Sequence, residues 1–451
     1  MARSTVRDMT EGNPLRLVLN FAVPLLFGFA FQQLYSFVDT AIVGRTLGST
    51  MLAAVGATGS VNFLILGLCN GLCAGMAIPV AQSFGAKEET ELRRHVANAA
   101  YVCVVCSLVL GSLTAILCPQ IMQLLNTDAS IIDSSVAYIR IIFAAIPVTM
   151  LYNMSGGILR SLGDSRTPVI FLAVASLVNI ALDLLFILGF GMGVDGAALA
   201  TVISQLVSGI GCVTVMVKRF PILHLTRDDR KLRPAYCRRL VLIGIPMGLQ
   251  YSITAIGSVL ITWSVNGISV AAVAAMTAAA KLSMLFCCMF DALSTTMATF
   301  AGQNIGARKP QRVGQGLRAT GILGSVYCVL ALLVIVFFGK TLMGLFLDAG
   351  SDATVIDMAH HFLIINALFY IPLLFVNIVR LTIQGMGYTS VAMLAGVAEM
   401  FARAAVALLL VPAIGFEGAC YANPAAWIAA DLFLFPCYFR IMKQVKMRMG
   451  D

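Results

Sequence analysis

The chain has 451 residues, of which 59% are hydrophobic and only 11% charged, and its 30 Lys and Arg against 21 Asp and Glu give a net charge of +9. Soluble domains carry roughly 25% charged residues, and no water-soluble fold buries this much apolar surface, so soluble enzymes and nucleic-acid binders are poor candidates. A helix needs about 20 mostly apolar residues to cross a bilayer, and the chain has room for many such crossings and little else.

The first apolar run, Leu17 to about Gly44, is too long for a cleavable signal and ends without a small-residue cleavage pattern, so it is expected to remain as the first span. Apolar runs separated by charged or Gly/Pro-containing breaks predict twelve spans: 16–44, 51–82, 93–117, 133–157, 167–190, 194–217, 240–265, 271–303, 314–338, 355–383, 389–412 and 416–440. Pro24, Pro147, Pro246, Pro372 and Pro424 fall inside them, each removing a backbone donor and able to kink its helix. Residues 218–239 are the only long polar stretch and lie at the midpoint, which predicts a cytoplasmic linker between an N-terminal six-helix lobe, 1–217, and a C-terminal one, 240–451. Lys and Arg concentrate in alternate loops: 25 of the 30 fall on one side, from Arg3, Arg7 and Arg16 through Arg380 to Arg448, against Arg45 and Lys340 on the other. That side is expected to be cytoplasmic, with both termini on it. The 12 cysteines sit in apolar runs without zinc-type spacing and read as small buried hydrophobes.

The halves repeat. Gln82-Ser-Phe-Gly-Ala-Lys87 returns as Gln303-Asn-Ile-Gly-Ala-Arg308 at an offset of 221, and Gly193-Val-Asp-Gly196 returns as Gly415-Phe-Glu-Gly418. Two six-span repeats of equal topology imply two similar bundles with a substrate path between them.

An ionisable residue inside a span is costly and marks a functional position by default. Asp39 and Asp183 have no basic partner within their own helix segments, and Asn179 lies four residues before Asp183, on the same helix face. At ~1.5 Å per residue, Asp183 lies ~22 Å from the cytoplasmic entry of span five. Thr201 lies ~12 Å inward from the outer entry of span six, and Asp39 sits near the outer end of span one. The four groups can therefore meet in the outward half of one bundle. Two carboxylates, an amide oxygen and a hydroxyl without a fixed cation should attract H⁺ or Na⁺; the plain alternative is that both acids only hydrogen-bond to neighbouring helices. In the second half Asp39 falls opposite Leu260 to Thr262, Asp183 opposite Ala407 and Asn179 opposite Arg403, so the acidic set belongs to the first half alone. Glu399 and Arg403, four apart, read as a self-neutralising intrahelical pair. Lys281 and Asp291 suit bonds to neighbouring helices or a wet cavity equally, and Asp431 has no identifiable companion. Gln33, Tyr35, Gln250, Lys281, Asp291, Asn377, Glu399 and Arg403 are the candidate substrate-cavity residues.

Pro24 followed by Gln32-Gln-Leu-Tyr35 and Val38-Asp39-Thr40, Ala53-Ala54-Val55-Gly56 at the start of span two, the repeated Gln-x-x-Gly-Ala-Lys/Arg, and Arg160-Ser-Leu-Gly-Asp164 after span four together resemble the multidrug and toxic compound extrusion (MATE) family, over essentially the whole chain. The resemblance implies an all-α polytopic protein of twelve helices in two pseudo-symmetric lobes. It also implies alternating access and export of amphipathic, often cationic small molecules coupled to H⁺ or Na⁺. Asp39, Asn179, Asp183 and Thr201 match the cation site of the DinF-like branch, and would be the metal ligands if the ion is Na⁺. Where other branches carry a glutamate in span seven, this chain has Thr254. The expected protein is a monomeric, multi-pass exporter in the cell membrane, with no cofactor beyond the coupling ion. A flippase for a lipid-linked or polysaccharide precursor on a related fold is the alternative, and would be expected to line its cavity with cations. No His/Asp/Glu cluster, Ser/His pair or nucleotide loop suggests an enzyme.

Overall fold

The computed structural model describes residues 8–125, 127–344 and 353–450, and these are helical almost throughout; Arg3 and Arg7, counted above with the cytoplasmic charges, lie outside the described residues. In order the helices are α1 (Pro14–Leu47), α2 (Ser49–Ala57), α3 (Gly59–Gly85), α4 (Glu89–Leu124), α5 (Ile132–Ala144), α6 (Ile146–Ser161), α7 (Arg166–Leu184), α8 (Val194–Arg219), α9 (Pro234–Asn266), α10 (Val270–Gly306), α11 (Pro310–Met343), α12 (Ala353–Leu368), α13 (Tyr370–Gly385), α14 (Thr389–Ala405), α15 (Val411–Ile414), α16 (Phe416–Cys420) and α17 (Ala422–Met449). Among the described residues, ten runs are long and apolar enough to cross a bilayer, and two more crossings are bent pairs, α5 with α6 at 46° and α12 with α13 at 54°. The protein is therefore an all-α polytopic membrane protein of twelve spans.

The bends have a local cause. Each falls one residue before a helix whose first turn contains proline, Pro147 in α6 and Pro372 in α13, where the ring fixes φ and needs no donor. Pro424 likewise lies in the first turn of α17, whereas Pro24 and Pro246 sit inside unbroken helices. The second span starts later than the hydropathy suggests. The chain breaks at Thr58, so Ala53-Ala54-Val55-Gly56 lies on the separate short helix α2 and the long helix begins at Gly59.

The repeat is written in backbone conformation as well as sequence. Among the described residues, Lys87 and Arg308 are the non-glycine residues with positive φ, at 59° and 57°, and Gly163 and Gly387, then Gly191 and Gly415, form further positive-φ pairs. A π turn follows α7 at Leu185–Gly189 and another follows α14 at Val406–Leu410.

Two compact units result: Phe27–Ser252 in one, Met9–Leu26 with Ile253–Asp451 in the other. The boundaries cross the linear division at residues 217 and 240, because the opening part of α1 packs in the second unit and the opening part of α9 in the first. A glycine seam explains the α9 crossing. Gly67, Gly71 and Gly75 recur every four residues on α3, as do Gly244 and Gly248 on α9, placing each row on one face. A Cβ on Gly71 would lie 2.5 Å from the Met247 carbonyl oxygen, and one on Gly75 would lie 2.6 Å from Gly244 Cα. Backbone thus touches backbone, and only glycine fits.

The repeated Gln-x-x-Gly-Ala-Lys/Arg motif holds the segments that lead into these helices. In the second unit Gln303 Oε1 accepts from the Met9 amide at 2.9 Å, while Asn304 Nδ2 donates to the Met9 carbonyl at 3.2 Å and Arg312 Nη2 to the Gly12 carbonyl at 3.0 Å. In the first unit Gln82 Oε1 accepts from Arg239 at 3.1 Å, and the linker is fastened to α4 by Arg93 to Asp229 at 2.9 Å and Arg94 to Asp228 at 3.2 Å. Lys231 and Arg94 hold the Asp228 carboxyl below the usual carboxylate range.

Candidate functional site

The first unit gathers its polar interior at one place. Asn179 and Asp183 stand one turn apart on α7 and are completely buried; Asp39 of α1 faces them and is half-buried. The Asp39 and Asp183 carboxyl groups are near enough to interact directly. Asp39 Oδ1, both Asp183 oxygens and Asn179 Oδ1 are buried without a hydrogen-bond donor. Asn179 Nδ2 donates to Thr201 Oγ1 on α8 at 3.4 Å, and the Thr201 hydroxyl donates to the Ala197 carbonyl at 3.0 Å. The Tyr35 hydroxyl is within hydrogen-bonding reach of Thr201 and, like Tyr138 of α5, within electrostatic reach of both acids. Among the described residues no Lys, Arg or His pairs with Asp39 or Asp183.

Local structure sets this up. Asp183 lies at the end of α7, immediately before the π turn at Leu185–Gly189, a helix irregularity that recurs beside functional positions. Asp39, Asn179, Asp183 and Thr201 are thus brought together, and Tyr35, expected among substrate contacts, joins them. Tyr138 was not foreseen: an uncharged residue in an apolar run gives no periodic or electrostatic signal.

The remaining cavity candidates disperse. Gln33 is half-buried on α1 and Gln250 is buried on the part of α9 that belongs to the first unit. Asn377 spends its amide on the Leu373 carbonyl of its own helix at 2.9 Å. Lys281 and Asp291 lie on the exposed stripe of α10 with Thr277 and Met284. The exposed side of α11 differs, presenting Ile322, Val326, Val329, Leu333 and Phe337. An apolar stripe suits lipid, whereas exposed charges at span depth require water.

Glu399 and Arg403 require a correction. They do pair, at 3.3 Å, but Arg380 of α13 donates to the other Glu399 oxygen, so the group is a buried triad rather than a neutral pair. Arg380 therefore does not sit in a loop as counted above; it is 6% exposed within the second unit, and 24 of the 25 charges counted on that side remain. Proximity to a span end in the sequence disguised it. Asp431 of α17, which had no companion in sequence, lies within electrostatic reach of Arg380 and Glu399, with its Oδ1 buried and receiving no hydrogen bond. All twelve cysteines are free.

The MatE family model matches residues 24–185 and 246–409, one match in each half. Among curated relatives, the probable multidrug resistance protein YoeA of Bacillus subtilis is 29% identical over 374 residues, covering 81% of this chain and 80% of the relative. A protein named FAD transporter from Shewanella oneidensis is 26% identical, covering 79% of each. In three dimensions the chain is similar to a multidrug resistance MATE family transporter solved in an outward-facing conformation, with a TM-score of 0.91 and 20% identity over 99% of this chain and 100% of that one.

Proposed function

The chain belongs to the MatE family, whose members are transporters and not enzymes, and from that premise we propose that it exports small amphipathic compounds, cationic ones among them, in exchange for H⁺ or Na⁺ bound at Asp39, Asn179, Asp183 and Thr201. The observation that carries this reading is the facing pair of carboxylates. Two neighbouring carboxylates whose buried oxygens receive no donor strongly disfavour ionising together unless a positive charge joins them. A proton shared between them would meet that demand. So would Na⁺, whose preference for hard oxygen ligands suits the two carboxylates, the Asn179 carbonyl oxygen and the Thr201 hydroxyl.

Loading changes the charge of the first unit's interior by one. A coupling ion drives transport only through different affinities for two conformations, and a site that is doubly negative and repulsive when empty but singly negative when loaded supplies that difference. In the outward-open state the acids take up the ion and cargo affinity falls; the inward-open state releases the ion and collects new cargo. The water-facing stripe of α10 with Lys281 and Asp291 supports a cargo path along that helix. The protein acts in the cell membrane with both termini in the cytoplasm, a polarity supported by the skew of Lys and Arg.

The test is dye efflux from proteoliposomes with Na⁺ and pH gradients imposed separately. One of the two gradients should drive efflux in the parent protein, and Asp39→Asn and Asp183→Asn should each reduce it to leak. Gradient-driven efflux unchanged in both variants overturns the assignment of the coupling site.

A further inference from the structure

Two guanidinium groups carry ten N–H donors between them. Arg380 and Arg403 spend two on protein acceptors, one on each oxygen of Glu399. Both side chains are 7% exposed, and the Nε–H groups of both are buried without an acceptor. The triad also leaves one positive charge uncancelled. Asp431 is near enough to feel Arg380 but forms no ion pair with it, and its own Oδ1 has no donor. On α9 Gly257 packs closely against Arg403: a Cβ there would lie 3.2 Å from Arg403 Cδ and 3.4 Å from its Nη1. Donors without acceptors on two neighbouring guanidinium groups, with more positive than negative charge in the triad, describe a site that an acceptor-rich anion would complete. A buried ion cluster built only for scaffolding would instead be expected to satisfy its hydrogen bonds.

We propose that Arg380 and Arg403 form an anion subsite in the second unit, taking a carboxylate or phosphate group, with Glu399 fixing the two guanidinium planes and Asp431 serving as the counter-ion that an incoming anion replaces. Planar guanidinium forks bind both anions through paired hydrogen bonds, which lysine cannot imitate. The inference rests on the reading of the chain as a carrier of small amphipaths and narrows its cargo to molecules that bear an anionic group as well as an apolar body. The anion can belong to cargo or to a lipid headgroup, and the two sources separate experimentally.

The measurement is equilibrium binding to full-length protein in neutral detergent, without any ion gradient, by fluorescence polarisation. The probes are rhodamine 110, which has a free carboxylate, and its methyl ester rhodamine 123, which has the same ring system. The parent protein should bind rhodamine 110 about tenfold more tightly, the scale of a charge-assisted hydrogen bond. Arg380→Gln and Arg403→Gln should each erase the preference while leaving rhodamine 123 binding within about twofold, and Asp431→Asn should strengthen rhodamine 110 binding. Arg403→Lys, which keeps charge and bulk, should retain only part of the preference; it also guards against misfolding of the glutamine variants, which thermal melts will reveal. Competition by phosphatidylglycerol but not by phosphatidylcholine, with the preference otherwise intact, assigns the subsite to a headgroup; no competition assigns it to cargo. Equal affinity for the two dyes in the parent, or a preference surviving in both glutamine variants, overturns the subsite. Asp39→Asn, which alters ion loading, should leave the ratio of the two dye affinities unchanged even where both affinities shift together, so failure here and failure of the coupling site are told apart.

Discussion

Matched positions of the two repeats carry opposite chemistry. The positive-φ pairs Gly163 with Gly387 and Gly191 with Gly415 fix the register across the intervening helices, and in that register Asn179 stands where Arg403 does and Asp183 where Ala407 does. At these positions the first unit sets two acids together with no base paired to them, whereas the second sets two bases around one acid. Around both, the frame is the same: a bend before a proline-led helix, a π turn after the charged helix, and a Gln-x-x-Gly-Ala-Lys/Arg clasp. Backbone geometry is what the duplication has kept, because bends and left-handed turns set how every helix packs. Interior charge, confined to a few side chains, has been free to diverge.

The widest separation between the units should appear when the same acid-to-amide change is made in each. Asp183→Asn should reduce gradient-driven efflux to leak yet leave thermal stability unchanged or raised, since it removes like-charge repulsion. Glu399→Gln should instead destabilise the protein by about 3–5 kcal/mol, because it leaves two buried guanidinium groups without their counter-charge. Melting curves of the two variants side by side would check this, and a similar shift in both would break the contrast. Next in size, Gly71→Val should cost about 1–3 kcal/mol by forcing α3 from α9, with no counterpart expected from substitution at the open Gly56, where an added Cβ meets nothing within 4 Å. Arg308→Gly should stabilise by at most about 1 kcal/mol by relieving a left-handed conformation, read as a small upward shift in melting temperature. Smallest is a pH effect on the linker clasp. The Asp228 carboxyl is held below its unfolded value of about 3.9, so its contribution is present above that pH and is lost as pH falls through the lower folded value. Proteolytic nicking of the linker should accelerate only in that acid range, and Asp228→Asn should abolish the pH dependence.

Much of this was legible in the residues. Twelve apolar runs, the duplicated motifs and two unpaired intramembrane acids were each readable because hydropathy, offset and charge are properties of sequence. Bends at Pro147 and Pro372 could be expected; that Pro24 and Pro246 leave their helices unbroken could not, since neighbours decide whether a freed carbonyl is re-satisfied. Arg380 was misplaced because a basic residue near a span end looks the same whether it turns outward to water or inward to a carboxylate. The glycine rows on α3 and α9 were present in the chain, but which row meets which is a question of tertiary contact.

That crossing of half-helices constrains how the chain can be made. As synthesis proceeds, the glycine face of α3 is laid down long before residues 234–252 arrive to cover it, while the opening of α1 must wait for partners encoded in the second half. The first unit can close only after residues 234–252 have been made, and the second needs residues 9–26 kept available from the start of synthesis. A ribosome that stalls or a transcript that ends inside the linker leaves a bundle with one bare backbone groove and one stray helical arm, the features a membrane quality-control protease would find first.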